Sequence, residues 1–335
     1  MARIAINGFG RIGRSTFKAA WGKRGFQVVA INDLTDAATL AHLLKYDSNY
    51  GKWEVPVASA KGMLIVAGKK IPVLSEKDPA ALPWKKMKID VVIESTGFFT
   101  TEEKASAHLD AGAKRVVLSA PGKGGHIPTY VLGANAEDIK NDKSGIVNNA
   151  SCTTNCVAPV TAIMAQAFGV KKAMLTTIHG YTSTQNLVDG PHKDLRRARA
   201  AAINMIPTST GAAIAVTETL PSLKNAFDGL SIRVPLSTVS ISDITFLLSK
   251  KVTVAQVNRA IKKASTTPRF KNIVGVTEEP LVSSDFIGDP RSAIVDLDLT
   301  RVVDGDLVKV VAWYDNEWGY ANRLAELAVM LVKRF

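Results

Sequence analysis

Six residues near the start of the chain constrain its fold more than any other segment. Gly8-Phe9-Gly10-Arg11-Ile12-Gly13 follows a short apolar run, Arg3–Asn7, and opens a stretch with helical spacing, Arg11–Lys23. Glycines in this pattern allow a tight turn and let the backbone approach a pyrophosphate. The helix that follows offers unpaired N–H groups and a partial positive charge. Asp33 stands twenty residues beyond Gly13, just after a second apolar run, Gln27–Asn32. A carboxylate there accepts hydrogen bonds from ribose hydroxyls and repels a 2′-phosphate, so the pattern favours NAD over NADP. The plainer alternative for Asp33 is a turn residue closing a strand. Gly8, Gly10, Gly13 and Asp33 are the first candidate cofactor positions.

The surrounding pattern supports a doubly wound sheet. Further strand candidates are Val91–Ser95, Val116–Ser119 and Gly145–Asn149, rich in Val and Ile and nearly continuous, as strands buried on both faces are. Helical stretches such as Thr101–Ala111 lie between them. The alternation predicts an α/β fold, a doubly wound parallel Rossmann sheet, over residues 1–151. A chain of 335 residues is long for one domain. Beyond 151 the pattern changes. Thr238–Leu248 alternates with period two through Val239, Ile241, Ile244 and Phe246, with one break, and Val308–Tyr314 is a second strand candidate. Thr253 and Gln256 form a capping box before a helix over Val254–Ser265. These features predict a second, α+β domain over 152–318, with an open sheet packed on helices by one face. Leu324, Leu327, Ala328, Leu331 and Phe335 give a helix over 319–335, expected to return to the first domain.

A second segment carries chemistry. Ala150-Ser151-Cys152-Thr153-Thr154-Asn155-Cys156 follows the fifth strand candidate and runs into a helical pattern, Val157–Ala167. Ligands of open α/β sheets sit outside the carboxyl ends of the strands. Cys152 is therefore expected near the cofactor and at a helix N-terminus, which stabilises a thiolate. Pro159 is expected in the first turn of that helix, where its missing N–H costs nothing. Cys156, four residues on, is given no catalytic role; the alternative for both cysteines is a small buried hydrophobe. A nucleophilic cysteine needs a base. Of five histidines, His179 ends a strand candidate, Met174–Ile178, and precedes Gly180, but spacing alone leaves His126 and His192 open. The scattered histidines and lone cysteine pair predict no metal site.

Composition sets the remaining bounds. The net charge of +12 favours anionic partners, whether nucleic acid, lipid or small phosphates. The basic residues do not gather in one block, so nucleic acid is not expected as the main partner. Two cysteines cannot form a disulfide framework and suit a reducing compartment. The N-terminus has no signal-peptide pattern, and no apolar run approaches the ~20 residues that span a bilayer. A cytoplasmic protein without membrane association is expected. Tyr181 to about Arg199 has no period and contains Gly190 and Pro191, which predicts a functional or interfacial loop.

Ser-Cys-Thr-Thr-Asn-Cys at 151–156 resembles the active-site signature of the glyceraldehyde-3-phosphate dehydrogenase family. Ile4–Gly13, Ile31–Leu34, His179–Thr182, Asp194–Ala202, Pro207–Ala213 and Trp313–Gly319 resemble other segments of it, so the likeness covers nearly the whole chain. The resemblance implies that Cys152 is the nucleophile and His179 its base. It implies that Arg11 and Ile12 line the pyrophosphate, that Lys77 and Ser119 belong to the cofactor site, and that Asn316 orients the nicotinamide carboxamide. Thr182 and Arg233 would bind the phosphate of the substrate, and Ser151, Thr153, Thr210 and Gly211 the attacking inorganic phosphate, with Arg197 serving either anion. The implied reaction oxidises glyceraldehyde 3-phosphate through a cysteine thioester in a homotetramer. His179 and the Cys152 backbone N–H would hold the developing oxyanion. Two segments depart from the family. Lys77 stands where many relatives carry arginine, and lysine cannot reproduce a planar guanidinium contact. Leu187–Gly190 is variable near the region that influences the choice of dinucleotide. Rival readings are the same chemistry on another phosphorylated aldehyde, such as erythrose 4-phosphate, and a nucleotide- or nucleic-acid-binding role.

Overall fold

The computed structural model describes residues 1–124 and 126–332, and the chain divides into two compact units. The first comprises the described residues of Met1–Tyr130, Glu137–Ala150 and Ala321–Phe335, and the second Val131–Ala136 and Ser151–Tyr320.

In the first unit the elements run β1 (Ala2–Asn7), α1 (Arg11–Ala20), β2 (Phe26–Asn32), α2 (Ala37–Lys45), β3 (Tyr46–Asp47), β4 (Gly51–Lys52), β5 (Val57–Ala60), β6 (Met63–Val66), β7 (Lys69–Leu74), α3 (Trp84–Met87), β8 (Val91–Glu94), α4 (Glu102–Asp110), β9 (Arg115–Leu118) and β10 (Ile146–Asn148). The sheet order is β10-β9-β8-β1-β2-β7-β6-β5. Strands β10 through β7 pair in parallel, and β7, β6 and β5 form an antiparallel meander that the sequence reading did not contain. Ile4, Ile6, Ile31, Val91, Val92, Ile93, Val116 and Val117 are all fully buried, which explains their unbroken branched runs. Each such side chain contributes about 1.5–3 kcal/mol on burial. The chain winds outward from β1 to β2 and later restarts at β8 on the other side of β1. This reversal is the place where such sheets open a crevice at their carboxyl ends. Helix α1 stops at Ala20, short of the expected Lys23, because Gly22 takes a left-handed φ of +78°.

The second unit begins with α5 (Cys152–Phe168), β11 (Val170–Gly180), β12 (Ile206–Ser209), α6 (Ala212–Thr219), β13 (Phe227–Val234) and β14 (Ser240–Leu248). It continues with α7 (Val254–Ser265), β15 (Val274–Thr277), β16 (Ala293–Val303) and β17 (Leu307–Tyr314). The sheet is mixed, in the order β12-β13-β11-β14-β17-β16-β15, and α5, α6 and α7 pack on it. Helix α7 carries the expected capping box between Thr253 and Gln256.

Two further local expectations are corrected, and the last helix falls where it was expected. The break in the β14 pattern is not in the strand: Val239 precedes it at φ +68°, and the inward face reads Ser240, Ser242, Ile244, Phe246, Leu248. Helix α5 starts at Cys152 rather than Val157, so Pro159 is its eighth residue and lies inside it. A mid-helix proline removes one intrahelical bond at a cost of ~3 kcal/mol. The helix persists because Thr153 through Met164 are buried. The terminal helix α8 (Trp318–Val332) joins the first unit from Ala321 onward. Lys23 Nζ donates to Asn322 Oδ1 at 2.7 Å, and Leu324, Leu327 and Leu331 are buried. Residues 333–335 of the expected helix, with Phe335, lie outside the described residues.

Candidate active site

The glycines of the first turn build a cradle. A methyl group at Gly13 would be driven into the carbonyl oxygen of Gly8, and one at Gly8, where φ is +88°, would meet the Thr96 backbone nitrogen at 2.7 Å. A methyl at Gly10 would meet nothing within 4 Å. The turn is thus packed tight from below and open above, where α1 presents its first N–H groups with no side-chain cap on them. This space suits a pyrophosphate. A pocket of about 360 Å³ opens there, bordered by Asn7, Gly8, Gly10, Asp33, Lys77 and Phe98. Asp33 Oδ2 accepts from Phe9 N at 2.7 Å and Oδ1 from Thr35 N at 2.9 Å, which aims the carboxylate while leaving lone pairs for hydroxyl donors. Lys77 sits on the wall beside Glu76. The Arg11 side chain turns to Asp47 at 3.2 Å and to the Tyr50 ring, so what it offers a pyrophosphate is its backbone N–H. Ile12 is half-buried. Ser119 is not among the residues that line the pocket; its N–H donates to Glu94 O at 2.9 Å. Gly13→Ala is expected to raise the Kd for NAD by about 100-fold or more, since the added methyl must break the turn. Fluorescence titration checks this, with Cys152 alkylation in the absence of NAD as the control for folding. NAD affinity within threefold of wild type would contradict the cradle.

Cys152, the candidate nucleophile, is positioned by backbone strain and capping. Ala150 takes a left-handed φ of +55°, with its N–H held by Asn148 Oδ1 at 2.9 Å. Ser151 then caps α5, its Oγ accepting from Thr154 N at 3.1 Å and lying 2.7 Å from Thr154 Oγ1. Cys152 is the first helical residue, and its Sγ lies 3.4 Å from His179 Nε2. His179 is the penultimate residue of β11, in register with Arg233 on β13 and Ser240 on β14.

His179 Nδ1 faces two partners, the Gly180 carbonyl at 2.7 Å and Arg233 Nη1 at 2.7 Å. With the proton on Nδ1, the ring donates to Gly180 and Nε2 accepts from the thiol. With the proton on Nε2, the ring donates to sulfur and Nδ1 accepts from Arg233. The second arrangement gives a thiolate a donor, whereas transfer of the thiol proton to Nε2 in the first gives an imidazolium protonated on both nitrogens. Burial, reinforced by Arg233, pulls the His179 pKa down to about 3, against the pull of the Gly180 carbonyl. Burial pushes the Cys152 thiol up, opposed by the Arg233 charge and the Thr153 N–H. Cys152 stands at the helix N-terminus as expected, but desolvation outweighs what a thiolate gains there. A lone thiolate or a lone imidazolium is disfavoured here, whereas passing the proton from Cys152 to His179 leaves the charge of the pair unchanged beside Arg233.

Two features of this centre escaped the sequence. Tyr314 Oη bridges Thr153 Oγ1 and Thr177 Oγ1 at 2.9 Å each, and its ring meets that of His179 edge to face. Burial holds this phenol up, so it remains a neutral hydroxyl. Ser240 accepts from Gly180 N at 3.3 Å and donates to Asn316 Oδ1 at 2.9 Å. That chain fixes the Asn316 amide with Nδ2 as its remaining donor. The strained Val239, held against Phe286 and Ile294, is what aims Ser240.

The predicted anion ligands all lie in the second unit. Burial lowers the Arg233 pKa, and the positive charge of Arg197 adds to the shift. An anion bound by both guanidiniums would offset their charges. Arg197 Nε lies 3.4 Å from Asp194 Oδ2, and its Nη2 donates to Ser209 O at 3.4 Å, beside Thr210. Thr210 Oγ1 accepts from Ala212 N at 3.1 Å, and Gly211 precedes α6. Thr182 Oγ1 pairs with Thr184 Oγ1 at 2.9 Å. Thr153 is only 4 % exposed, and its hydroxyl turns inward to Tyr314 rather than outward to an anion. Of the other histidines left open, His192 Nδ1 accepts from Asp194 N at 2.9 Å, and His126 lies in the first unit with its N–H on Glu102. Among the described residues no group of three His, Cys, Asp or Glu could hold a metal ion, and no helix is long and apolar enough to cross a membrane.

Comparison with known proteins matches residues 2–102 to the family profile described as glyceraldehyde 3-phosphate dehydrogenase, NAD binding domain. Residues 151–316 match the profile described as glyceraldehyde 3-phosphate dehydrogenase, C-terminal domain. The chain is 52% identical to a glyceraldehyde-3-phosphate dehydrogenase of Borreliella burgdorferi, over 99% of this chain and 100% of that one. It is 50% identical to glyceraldehyde-3-phosphate dehydrogenase 1 of Bacillus cereus, over 100% and 99% of the two chains. It is 49% identical to the corresponding protein of Geobacillus stearothermophilus, over 99% and 98%.

Proposed function

We propose, for a chain that belongs to the glyceraldehyde-3-phosphate dehydrogenase family, that it oxidises glyceraldehyde 3-phosphate with NAD and inorganic phosphate to 1,3-bisphosphoglycerate. The observation that carries this reading is Cys152 Sγ at 3.4 Å from His179 Nε2, with Arg233 on the ring's other nitrogen.

His179 takes the thiol proton as Cys152 attacks the aldehyde carbon, and the resulting thiohemiacetal oxygen is held by His179 and the Cys152 N–H. His179 returns that proton to the oxygen, giving a hydroxyl, and accepts it back as the electron pair of the O–H bond expels hydride. NAD, when bound, would supply the hydride acceptor. Cys152 is left as a thioester. Inorganic phosphate attacks its carbonyl carbon, the C–S bond breaks, and Cys152 regains a proton from His179 as the acyl phosphate departs. Arg197 and Arg233 neutralise the two phosphate groups, with Thr182, Ser151, Thr210 and Gly211 as further donors. Gly8, Gly10, Gly13 and the α1 N-terminus would hold the pyrophosphate of bound NAD, Asp33 its adenine ribose, and Asn316 its nicotinamide carboxamide.

We also assign the chain to a homotetramer in the cytoplasm. The stretch after Tyr181 has neither helix nor strand until Ile206, and Leu187, Val188, Leu195, Ile203 and Met205 in it are 72–80% exposed. Such side chains favour burial against a neighbour. Light scattering at the column peak measures the mass directly.

The reaction is tested by NADH formation from glyceraldehyde 3-phosphate and NAD, with and without inorganic phosphate. Turnover is expected to depend on phosphate. Equal steady-state rates without it would point to hydrolysis of the thioester and sink the acyl-phosphate product.

A further inference from the structure

Beneath the dinucleotide pocket lies a carboxylate that the reaction does not use. Glu94, the last residue of β8, is 2 % exposed. Its Oε2 accepts from Asn7 Nδ2 at 2.6 Å and from His108 Nε2 at 3.1 Å. Its Oε1 accepts from Thr96 N at 2.7 Å and Thr96 Oγ1 at 2.5 Å. Four donors thus converge on two oxygens.

The direction of every bond feeding this carboxylate is determined by the chain itself. Trp84 Nε1–H can only donate, and it donates to His108 Nδ1 at 3.0 Å. His108 must therefore carry its proton on Nε2 and point it at Glu94. On the other side, Glu76 N donates to Asn32 Oδ1 at 2.9 Å, which fixes that amide. Asn32 Nδ2 then donates to Glu76 O at 2.9 Å and to Asn7 Oδ1 at 2.7 Å. This in turn leaves Asn7 Nδ2 as the donor to Glu94. Neither amide can flip and the imidazole cannot change tautomer without losing a buried bond. Strand register supports the relay, since Asn7 sits opposite both Glu94 and Asn32.

The two ends of this network are two walls of the pocket. Thr96 and Phe98 line one, with Phe98 N donating to Thr96 Oγ1 at 3.1 Å; Glu76 and Lys77 line the other, and Asn7 and Asn32 lie between them. We propose that Glu94 is the positioning residue of the dinucleotide pocket, holding one wall through Thr96 and the other through Asn7, Asn32 and Glu76. It touches no substrate. Its function is to keep the walls at the spacing a bound dinucleotide needs, so that ordering them costs nothing at binding.

The replacement that tests this is Glu94→Gln, which has nearly the same shape. Its amide nitrogen sets a donor against the Asn7 and His108 N–H groups or against the Thr96 N–H, so at least one partner N–H loses its acceptor. The Kd for NAD is expected to rise about tenfold or more, and the KM for NAD with it. The KM for aldehyde and the alkylation rate of Cys152 without NAD should stay within about twofold. Glu94→Asp, which keeps two acceptor oxygens, should bind NAD more tightly than Glu94→Gln. Thr96→Val, at the half-buried rim, removes one donor without burdening the core and should weaken NAD binding by about threefold with Tm unchanged. It decides the matter if Glu94→Gln does not fold. Lowered Tm in Glu94→Gln with wild-type NAD affinity in both it and Thr96→Val would overturn the proposal and leave a merely structural carboxylate. The proposal rests on the pocket being the NAD site, so the unmodified chain is titrated alongside. Tight binding by it with unchanged variants strikes Glu94 alone, whereas no binding by it strikes the cofactor assignment and this proposal with it.

Discussion

Cys152→Ser retains NAD and loses aldehyde oxidation, with kcat falling by roughly 10⁴-fold or more. The shape of the site is kept, since the hydroxyl replaces a sulfur that already sits at the N-terminus of α5 beside His179. What is lost is acidity and nucleophilicity. A hydroxyl releases its proton far less readily than a thiol, and the base facing it is held near a pKa of 3. A single-turnover experiment with enzyme in excess is the sharpest check, because a thioester enzyme yields one NADH per site before phosphate enters. A burst at the wild-type rate in Cys152→Ser would rule out the thioester.

His179→Asn should lower kcat by about 10²–10⁴-fold. Asparagine can hydrogen-bond to the sulfur but cannot carry its proton. The thiol, already pushed up by burial, loses the basic nitrogen that could take its proton, so its apparent pKa should rise further. Iodoacetamide alkylation followed against pH should show the inflection displaced upward; superimposable profiles would remove His179 from the role of base. The same residue ties stability to pH. The ring's folded pKa of about 3 lies below its ordinary 6.5, so between these values the unfolded chain binds a proton that the folded chain refuses. Stability therefore rises with pH across that window. The stabilisation is whole above about 6.5 and is lost as pH falls toward 3. Wild type should lose more Tm than His179→Asn on acidification from about pH 7 to about pH 5. Parallel losses would mean that the ring is not held neutral by burial.

The legible parts of this molecule are those in which one local rule decides the outcome. Arg3–Asn7, Gln27–Asn32 and Val91–Ser95 read as buried parallel strands because Val, Ile and Ala form runs that occupy both faces, as they do where a sheet is covered on both sides. Val57–Ala60 and Lys69–Leu74 did not, because a half-exposed antiparallel meander with Pro72 and paired lysines carries no such run. Phe227–Val234 was missed for a similar reason: Asp228 and Gly229 interrupt its pattern, and pairing with β11 overrides that. Pro159 misled the placement of α5, since burial of a whole helix face outweighs one missing bond. In the active site, Cys152 was marked by its motif, but spacing left three histidines open. Only the registration of β11, β13 and β14 brings His179, Arg233 and Ser240 side by side. Tyr314 and Glu94 gave no sequence signal, because what distinguishes them is the set of buried donors and acceptors around them.

The return of the last helix to the first unit has a consequence for how the two units can be separated. Most of the dinucleotide-binding unit is encoded before the second unit, yet the stretch from Ala321 onward belongs to it as well. Lys23 is tied to Asn322, 299 positions further along the sequence. A cut near residue 150 would therefore leave an unfinished Rossmann surface on the first fragment, and a frameshift just after Tyr320 would damage the unit that carries the dinucleotide pocket, not the unit that carries Cys152 beside which it is encoded.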